Sequence, residues 1–137
     1  MAAAIARVRK KLRQIAAPAE ENPLAVPREN KSQYVLQAMQ DIAEHYANPE
    51  ISITSIATAL SVSEGHLSHI FKKETGSTVL GYLTRYRIHR AEELLKDRKK
   101  KVYEVAAAVG YSDVTYFSST FKKYTGMSPS EFQSNCI

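Results

Sequence analysis

The sequence predicts an all-α domain of two small lobes, each carrying a helix-turn-helix and joined by a long central helix. Three observations predict it. From Asn30 onward, apolar residues recur at helical spacing, and no stretch sustains the strict alternation of a strand. A unit of helix, short turn and helix occurs twice, 49 to 50 residues apart. Between the two copies, residues 78–97 read as one uninterrupted helix. At 137 residues the chain has room for one domain or two very small ones, and the duplication favours two lobes sharing a single domain.

Residues 4–16 can form a basic helix with Ile5, Val8, Leu12 and Ile15 along one side. That short stripe suits either the end of a coiled coil or partner-docking helix, or a frayed leader. Pro18, Pro23 and Pro27 then exclude a continuous helix and favour an extended linker. The expected organisation is a leader over 1–30 and a domain over 31–137. Within the domain, lobe one spans about 31–77, the joining helix 78–97 and lobe two about 98–137. Leader and linker together favour a fragment of a longer protein over a stand-alone one.

The first helix of the domain buries Val35, Met39, Ile42 and Tyr46, flanked by Leu36 and Ala43, and Asn48-Pro49 stops it. The repeat follows. Residues 53–63 align with 102–112 at an offset of 49, and residues 67–82 with 117–132 at an offset of 50. One residue is therefore inserted just after the turn serine. Nine of the 27 aligned positions are identical, among them Ala57/Ala106, Ser63/Ser112 and Phe71/Phe121, and Lys-Lys-x-Thr-Gly recurs whole. Two copies are too few for a solenoid.

In the first copy Ser52 caps a helix that buries Ile53, Ile56, Ala57 and Leu60. Ser61-Val62-Ser63 is the turn, and Ser63 caps the second helix. Leu67, Ile70 and Phe71 point inward, and Gly76 ends that helix. In the second copy Val102, Val105, Ala106 and Val109 lead to the turn Gly110-Tyr111-Ser112. Phe117 and Phe121 are the inward pair and Gly126 the stop. Ala57 and Ala106 leave room where the two helices of each unit cross. Gly110 supplies the positive φ the turn requires; Ser61 occupies that place in the first copy, so there the turn is either left-handed at serine or built differently.

The joining helix, capped by Thr78, presents Val79, Tyr82, Leu83, Tyr86, Ala91, Leu94 and Leu95 for packing. It fixes the separation of the two second helices. Two such helices entering successive major grooves on one face of DNA would lie ~34 Å apart. Ser128-Pro129 opens a final short helix.

The outward faces of the second helices carry short polar residues, then lysine. In the first these are Glu64, Gly65, Ser68, His69 and Lys72; in the second, Val114, Thr115, Ser118, Ser119 and Lys122. Small side chains near the N-terminal half can approach base edges, and a basic residue at the far end can meet a phosphate. An ordinary solvated helix face would carry more Glu and Gln than the Ser118-Ser119 pair.

Total charge argues less. Lys and Arg number 19 against 14 Asp and Glu, a net of +5, yet residues 1–30 hold +3 of it and 31–137 only +2. Local placement therefore outweighs the sum. The run Lys96, Arg98, Lys99, Lys100 and Lys101 can track a DNA backbone, but a solvated loop is the preferred reading. His66 and His69 lack the further ligands of a metal site, and no phosphate loop, nucleophile elbow or catalytic carboxylate pair is present. No cofactor, no metal and no enzyme activity are expected. Cys136 is expected to be a free surface thiol, and one cysteine suits a reducing compartment. Neither a secretion signal nor a membrane span is read. Tyr82, Tyr86 and Tyr116 fall at packing positions, which disfavours base stacking on RNA. The competing class is a helical protein-interaction module without DNA specificity.

Residues 31–135 resemble the AraC/XylS-type DNA-binding domain of bacterial transcription regulators. The segments that carry the resemblance are IATALSVSEGHLSHIFKKETG, YLTRYRIHRAEELL and, above all, VAAAVGYSDVTYFSSTFKKYTGMSPSEF. The match leans towards the output domains of two-component response regulators. It implies a seven-helix, two-lobed fold, cytoplasmic location and sequence-specific binding to double-stranded promoter DNA. It further implies contact with RNA polymerase when the protein acts as an activator, and self-association would fall to the leader or a further region. Carried over residue by residue, the resemblance gives Gly65, Ser68, His69, Val114, Thr115, Ser118 and Ser119 as base-reading positions. Lys72, Lys73, Lys122 and Lys123 are the phosphate candidates. His69 stands where the family often has arginine, and Arg87 matches an arginine of the joining helix for which a structural role is expected.

Overall fold

Seven helices make up the regular structure of residues 32–136, the part of the chain that the computed structural model describes. They are α1 (Gln33–His45), α2 (Ile53–Leu60), α3 (Glu64–Thr75), α4 (Val79–Leu95), α5 (Val102–Ala108), α6 (Val114–Thr125) and α7 (Pro129–Asn135). No strand occurs among the described residues. The leader helix and proline linker read from residues 1–30 lie outside them.

Hydroxyl caps set the starts. Ser52, Ser63, Thr78 and Ser128 each accept a backbone N–H from the first turn of α2, α3, α4 and α7, as their positions in the sequence predict. Gly76 and Gly126 end α3 and α6 in the left-handed conformation, with φ of 80° and 87°. Thr75 and Thr125 repeat one bond, Oγ1 donating to Phe71 O at 2.8 Å and to Phe121 O at 2.9 Å. The duplication continues into the next helix: Tyr82 stands edge-on to Phe71 at 5.6 Å, and Phe132 edge-on to Phe121 at 5.5 Å.

Two apolar clusters form the core. The first gathers Val35, Ala38 and Ile42 of α1, Ile56 and Ala57 of α2, Leu67 and Phe71 of α3, and Val79, Tyr82 and Leu83 of α4. The second gathers Ile88, Ala91 and Leu95 of α4, Val105 and Ala106 of α5, Val109 and Tyr111 of the turn, and Phe117 and Phe121 of α6. Phe71, Phe117 and Phe121 are fully buried, each worth about 1.5–3 kcal/mol in transfer from water. Helix α4 belongs to both lobes, its first half to one core and its second half to the other.

The structure adds to or corrects the sequence reading at four places. The buried face of α4 also includes Arg87 and Ile88, while Tyr86 and Leu94 pack against the two cores as expected but are only half-buried. A helix that serves two cores shifts its inward line where it changes partner. Tyr116, assigned to packing, is 63% exposed. The inward positions of α6 are 117, 120 and 121, so residue 116 falls beside that line, as its exposed counterpart His66 does. The cap of α6, left unassigned in the sequence, is Asp113, the inserted residue, accepting from Thr115 N and Tyr116 N. Cys136 is half-buried, its thiol donating to Phe132 O at 3.2 Å.

Ser61 adopts φ 59° and ψ 39°, and no other described non-glycine residue has a positive φ. The first turn thus copies the geometry of Gly110 at the strain cost of a side chain. Ser61→Gly is expected to raise stability by about 0.5–1 kcal/mol, less than the full strain because glycine also loosens the unfolded chain. A thermal melt reads this as a gain of a few degrees; a lower midpoint would show that the serine carries no strain.

Candidate nucleic-acid interface

Helices α3 and α6 hold the predicted site residues at matching positions. Gly65, Ser68, His69 and Lys72 follow the spacing i, i+3, i+4, i+7 on α3, and Thr115, Ser118, Ser119 and Lys122 repeat it on α6. On each helix this stripe lies away from the buried pair, Leu67 and Phe71 or Phe117 and Phe121. Gly65, Ser68, His69, Val114, Thr115 and Ser119 are exposed, as are Lys72, Lys73, Lys122 and Lys123. Ser118 differs: it is half-buried where its counterpart Ser68 is open. A Cβ added at Gly65 would meet nothing within 4 Å. The fold therefore does not require glycine there, and its bare backbone is open to close approach.

The charges run one way along both helices. Glu64 occupies the first turn of α3, and the Asp113 carboxylate caps α6. The lysine pairs sit in the last turns, where the carbonyl ends of the helices favour cations. Lys72 Nζ donates to Gly76 O at 3.3 Å, which keeps it at the end of α3. A shallow cleft opens between the start of α4 and α6, lined in part by Leu80, Thr84, Tyr116, Ser119 and Lys123. The exposed rings and Leu80 of this cleft were not anticipated; their only sequence signal is their position off the inward phase of α4 and α6.

One buried cation fixes α1 and α4 to the second turn. Arg87 Nε donates to Tyr46 O at 2.8 Å and Nη2 to Asn48 O at 2.9 Å, while the guanidinium lies 5.3 Å from the centre of the Tyr111 ring. Burial pulls Arg87 below the ordinary arginine range, and Tyr111 opposes that shift. Burial likewise pushes the Tyr111 hydroxyl up, with Arg87 opposing. Arg87 is thus structural, as the family resemblance implies. Arg90 adds a bond to the Tyr46 hydroxyl at 3.3 Å and an ion pair with Glu93 at 2.7 Å.

Among the described residues, no group of three or more His, Cys, Asp or Glu is placed to hold a metal ion, and no helix is long and apolar enough to cross a membrane. The arrangement offers two similar polar stripes, each ending in lysines, on helices that one continuous helix connects.

Residues 56–135 match the family model described as a helix-turn-helix domain. The arabinose operon regulatory protein of Escherichia coli is 39% identical over 102 residues, which cover 74% of this chain and 35% of that protein. The transcriptional regulatory protein HptR of Staphylococcus aureus is 39% identical over 99 residues, 72% of this chain and 38% of its own length. The chain therefore spans little more than a third of these curated relatives. Among solved structures, the C-terminal domain of AraT, a response regulator from Geobacillus stearothermophilus, superposes with a TM-score of 0.75 at 36% identity, covering 77% of this chain and 88% of that one.

Proposed function

Because the chain belongs to the AraC-type helix-turn-helix family, we propose that it is the sequence-specific, double-stranded DNA-binding unit of a transcription regulator. The observation that carries this reading is the matched pair of outward stripes on α3 and α6. Each is small and polar at its N-terminal half and basic at its end, which suits base edges followed by phosphates. Gly65, Ser68 and His69 read one groove segment, and Val114, Thr115, Ser118 and Ser119 the next. Lys72, Lys73, Lys122 and Lys123 hold the backbone. Its place of work is the cytoplasm, where promoter DNA is, and as an activator it contacts RNA polymerase from the bound site. The response-regulator relatives HptR and AraT favour an output role. Family and fold are those of binding proteins and not of enzymes.

Selection of bound sites from random duplex DNA tests binding, preference and half-site spacing together. With a selected site in hand, His69→Ala is expected to change which bases are preferred under α3. Lys122→Ala is expected to weaken binding to every duplex alike and to lower the slope of log affinity against log salt by about 0.9. Equal effects of both substitutions on all DNA sequences would remove the assignment. Failure to retain duplex DNA at low salt would return the chain to the class of protein-interaction modules.

A further inference from the structure

The duplication reaches one turn further upstream than the helix-turn-helix units. Residues 47–52 lead into α2 and residues 96–101 into α5, the same six positions at an offset of 49. Both turns are built alike. Asn48 Oδ1 accepts the Glu50 N–H at 2.9 Å, and Asp97 Oδ1 accepts the Lys99 N–H at 3.0 Å. The Asn48 carbonyl accepts from Ile51 N at 3.2 Å, and the Asp97 carbonyl from Lys100 N at 3.1 Å. Each turn is also braced by the helix that follows its own unit. Arg87 of α4 donates to Asn48 O at 2.9 Å; Gln133 of α7 donates to Asp97 O at 3.2 Å and to Lys100 O at 2.8 Å.

Charge is what separates the two turns. Glu50 is the one charged residue of 47–52, whereas 96–101 holds Lys96, Arg98, Lys99, Lys100 and Lys101 against Asp97, a net of +4. Residues 31–137 total +2, so apart from this turn they are net −2. All five cations are exposed, and none takes part in the ion pairs of the described residues. A braced backbone therefore holds five like charges close together, with Asp97 the one carboxylate of the turn and none of the five in an ion pair. The brace is common to both turns; the one-sided charge, which a merely solvated loop does not need, is peculiar to this one.

We infer that the turn 96–101 is a phosphate-binding site of the second lobe, one that grips the DNA backbone beside the groove facing α6 and has no equivalent in the first lobe. The inference rests on the DNA-binding reading above. When the second helix of a helix-turn-helix lies in a major groove, the first crosses the backbone; α5 is that first helix, and this turn delivers the chain to it. Lys99, Lys100 and Lys101 reach phosphate oxygens there, and base identity is left to the stripes on α3 and α6. The turn is then a sequence-blind anchor that holds lobe two more firmly than lobe one.

The test uses the full chain and a duplex selected by it from random DNA. The variant Lys99→Gln/Lys100→Gln/Lys101→Gln keeps every backbone bond of the turn, and circular dichroism checks that it folds. Its slope of log affinity against log salt is expected to fall by about 2–3, near 0.9 per lost phosphate contact. Base preference stays unchanged, and phosphate-ethylation interference disappears only on the flank under lobe two. Glu50→Lys is expected to steepen the slope by about 1 by giving lobe one the same grip. A slope unmoved by either change overturns the inference. So does an unchanged DNA affinity accompanied by lost binding to an acidic protein such as RNA polymerase. If the unaltered chain binds no duplex at low salt, the DNA-binding reading itself fails, a result distinct from both.

Discussion

Gly110→Ala is expected to destabilise the domain by about 3 kcal/mol or more, lowering the thermal midpoint by roughly 10–20 °C. Gly110 has φ +100°, a conformation that already strains any side chain. The larger effect is steric. An added Cβ would stand 2.5 Å from the Tyr46 carbonyl oxygen, 2.8 Å from Arg87 Nε and 2.9 Å from Arg87 Nη2. The nearest of these is backbone, and it is the same oxygen that Arg87 Nε binds. Relief requires α1, the Arg87 bond or the turn itself to move. Gly126→Ala is the control: its φ is +87°, but a Cβ there meets nothing within 4 Å, so the cost is strain alone, about 1 kcal/mol. Equal losses in the two variants would mean that the contact over Tyr46 carries no energy.

Arg87→Met is expected to cost about 2–4 kcal/mol, although it replaces a buried charge with an apolar side chain of similar length. Its two acceptors are backbone carbonyls, so no anion loses a partner; the loss is of two charge-assisted bonds. Gly110 lies over the Tyr46 carbonyl and limits the access of water to it. The Tyr111 ring loses its cation as well. Arg87→Lys rescues little, because one ammonium cannot span both carbonyls as the planar fork does. Hydrogen exchange should show amides of the α1 end and of the second turn losing protection together. Combined with Gly110→Ala, the two losses should be far from additive, since both act on one oxygen. Additive losses would place the two residues in separate networks.

These two residues also mark where sequence reading reached its limit. Local signals were legible throughout: cap serines followed by apolar runs, glycines after lysine pairs, and a stripe whose phase follows from buried Leu67, Phe71, Phe117 and Phe121. Arg87 was readable as structural only through resemblance, because its partners lie 41 and 39 residues away in the chain. The capping role of Asp113 was hidden by the serine before it, which matches Ser63 by type and sits one residue too early. Tyr116 was misread because it was given a packing position, while the phase set by Phe117 and Phe121 leaves it outside. On the candidate site, the stripe was legible as a pattern; the half-burial of Ser118 was not, since nothing in its own segment distinguishes it from Ser68.

The shared helix α4 has a consequence for how the two lobes can diverge. A flexible connection lets two modules search for separate targets, but α4 runs from one core into the other without a break. Each residue of such a helix advances by 1.5 Å and turns by about 100°. Its length is therefore a gauge of angle as much as of distance. The outward stripes can change letter by letter while their mutual orientation stays fixed. A single insertion or deletion within α4 would rotate one stripe by about 100° relative to the other. Divergence in what is recognised is open to substitution, whereas divergence in spacing must come in whole helical turns.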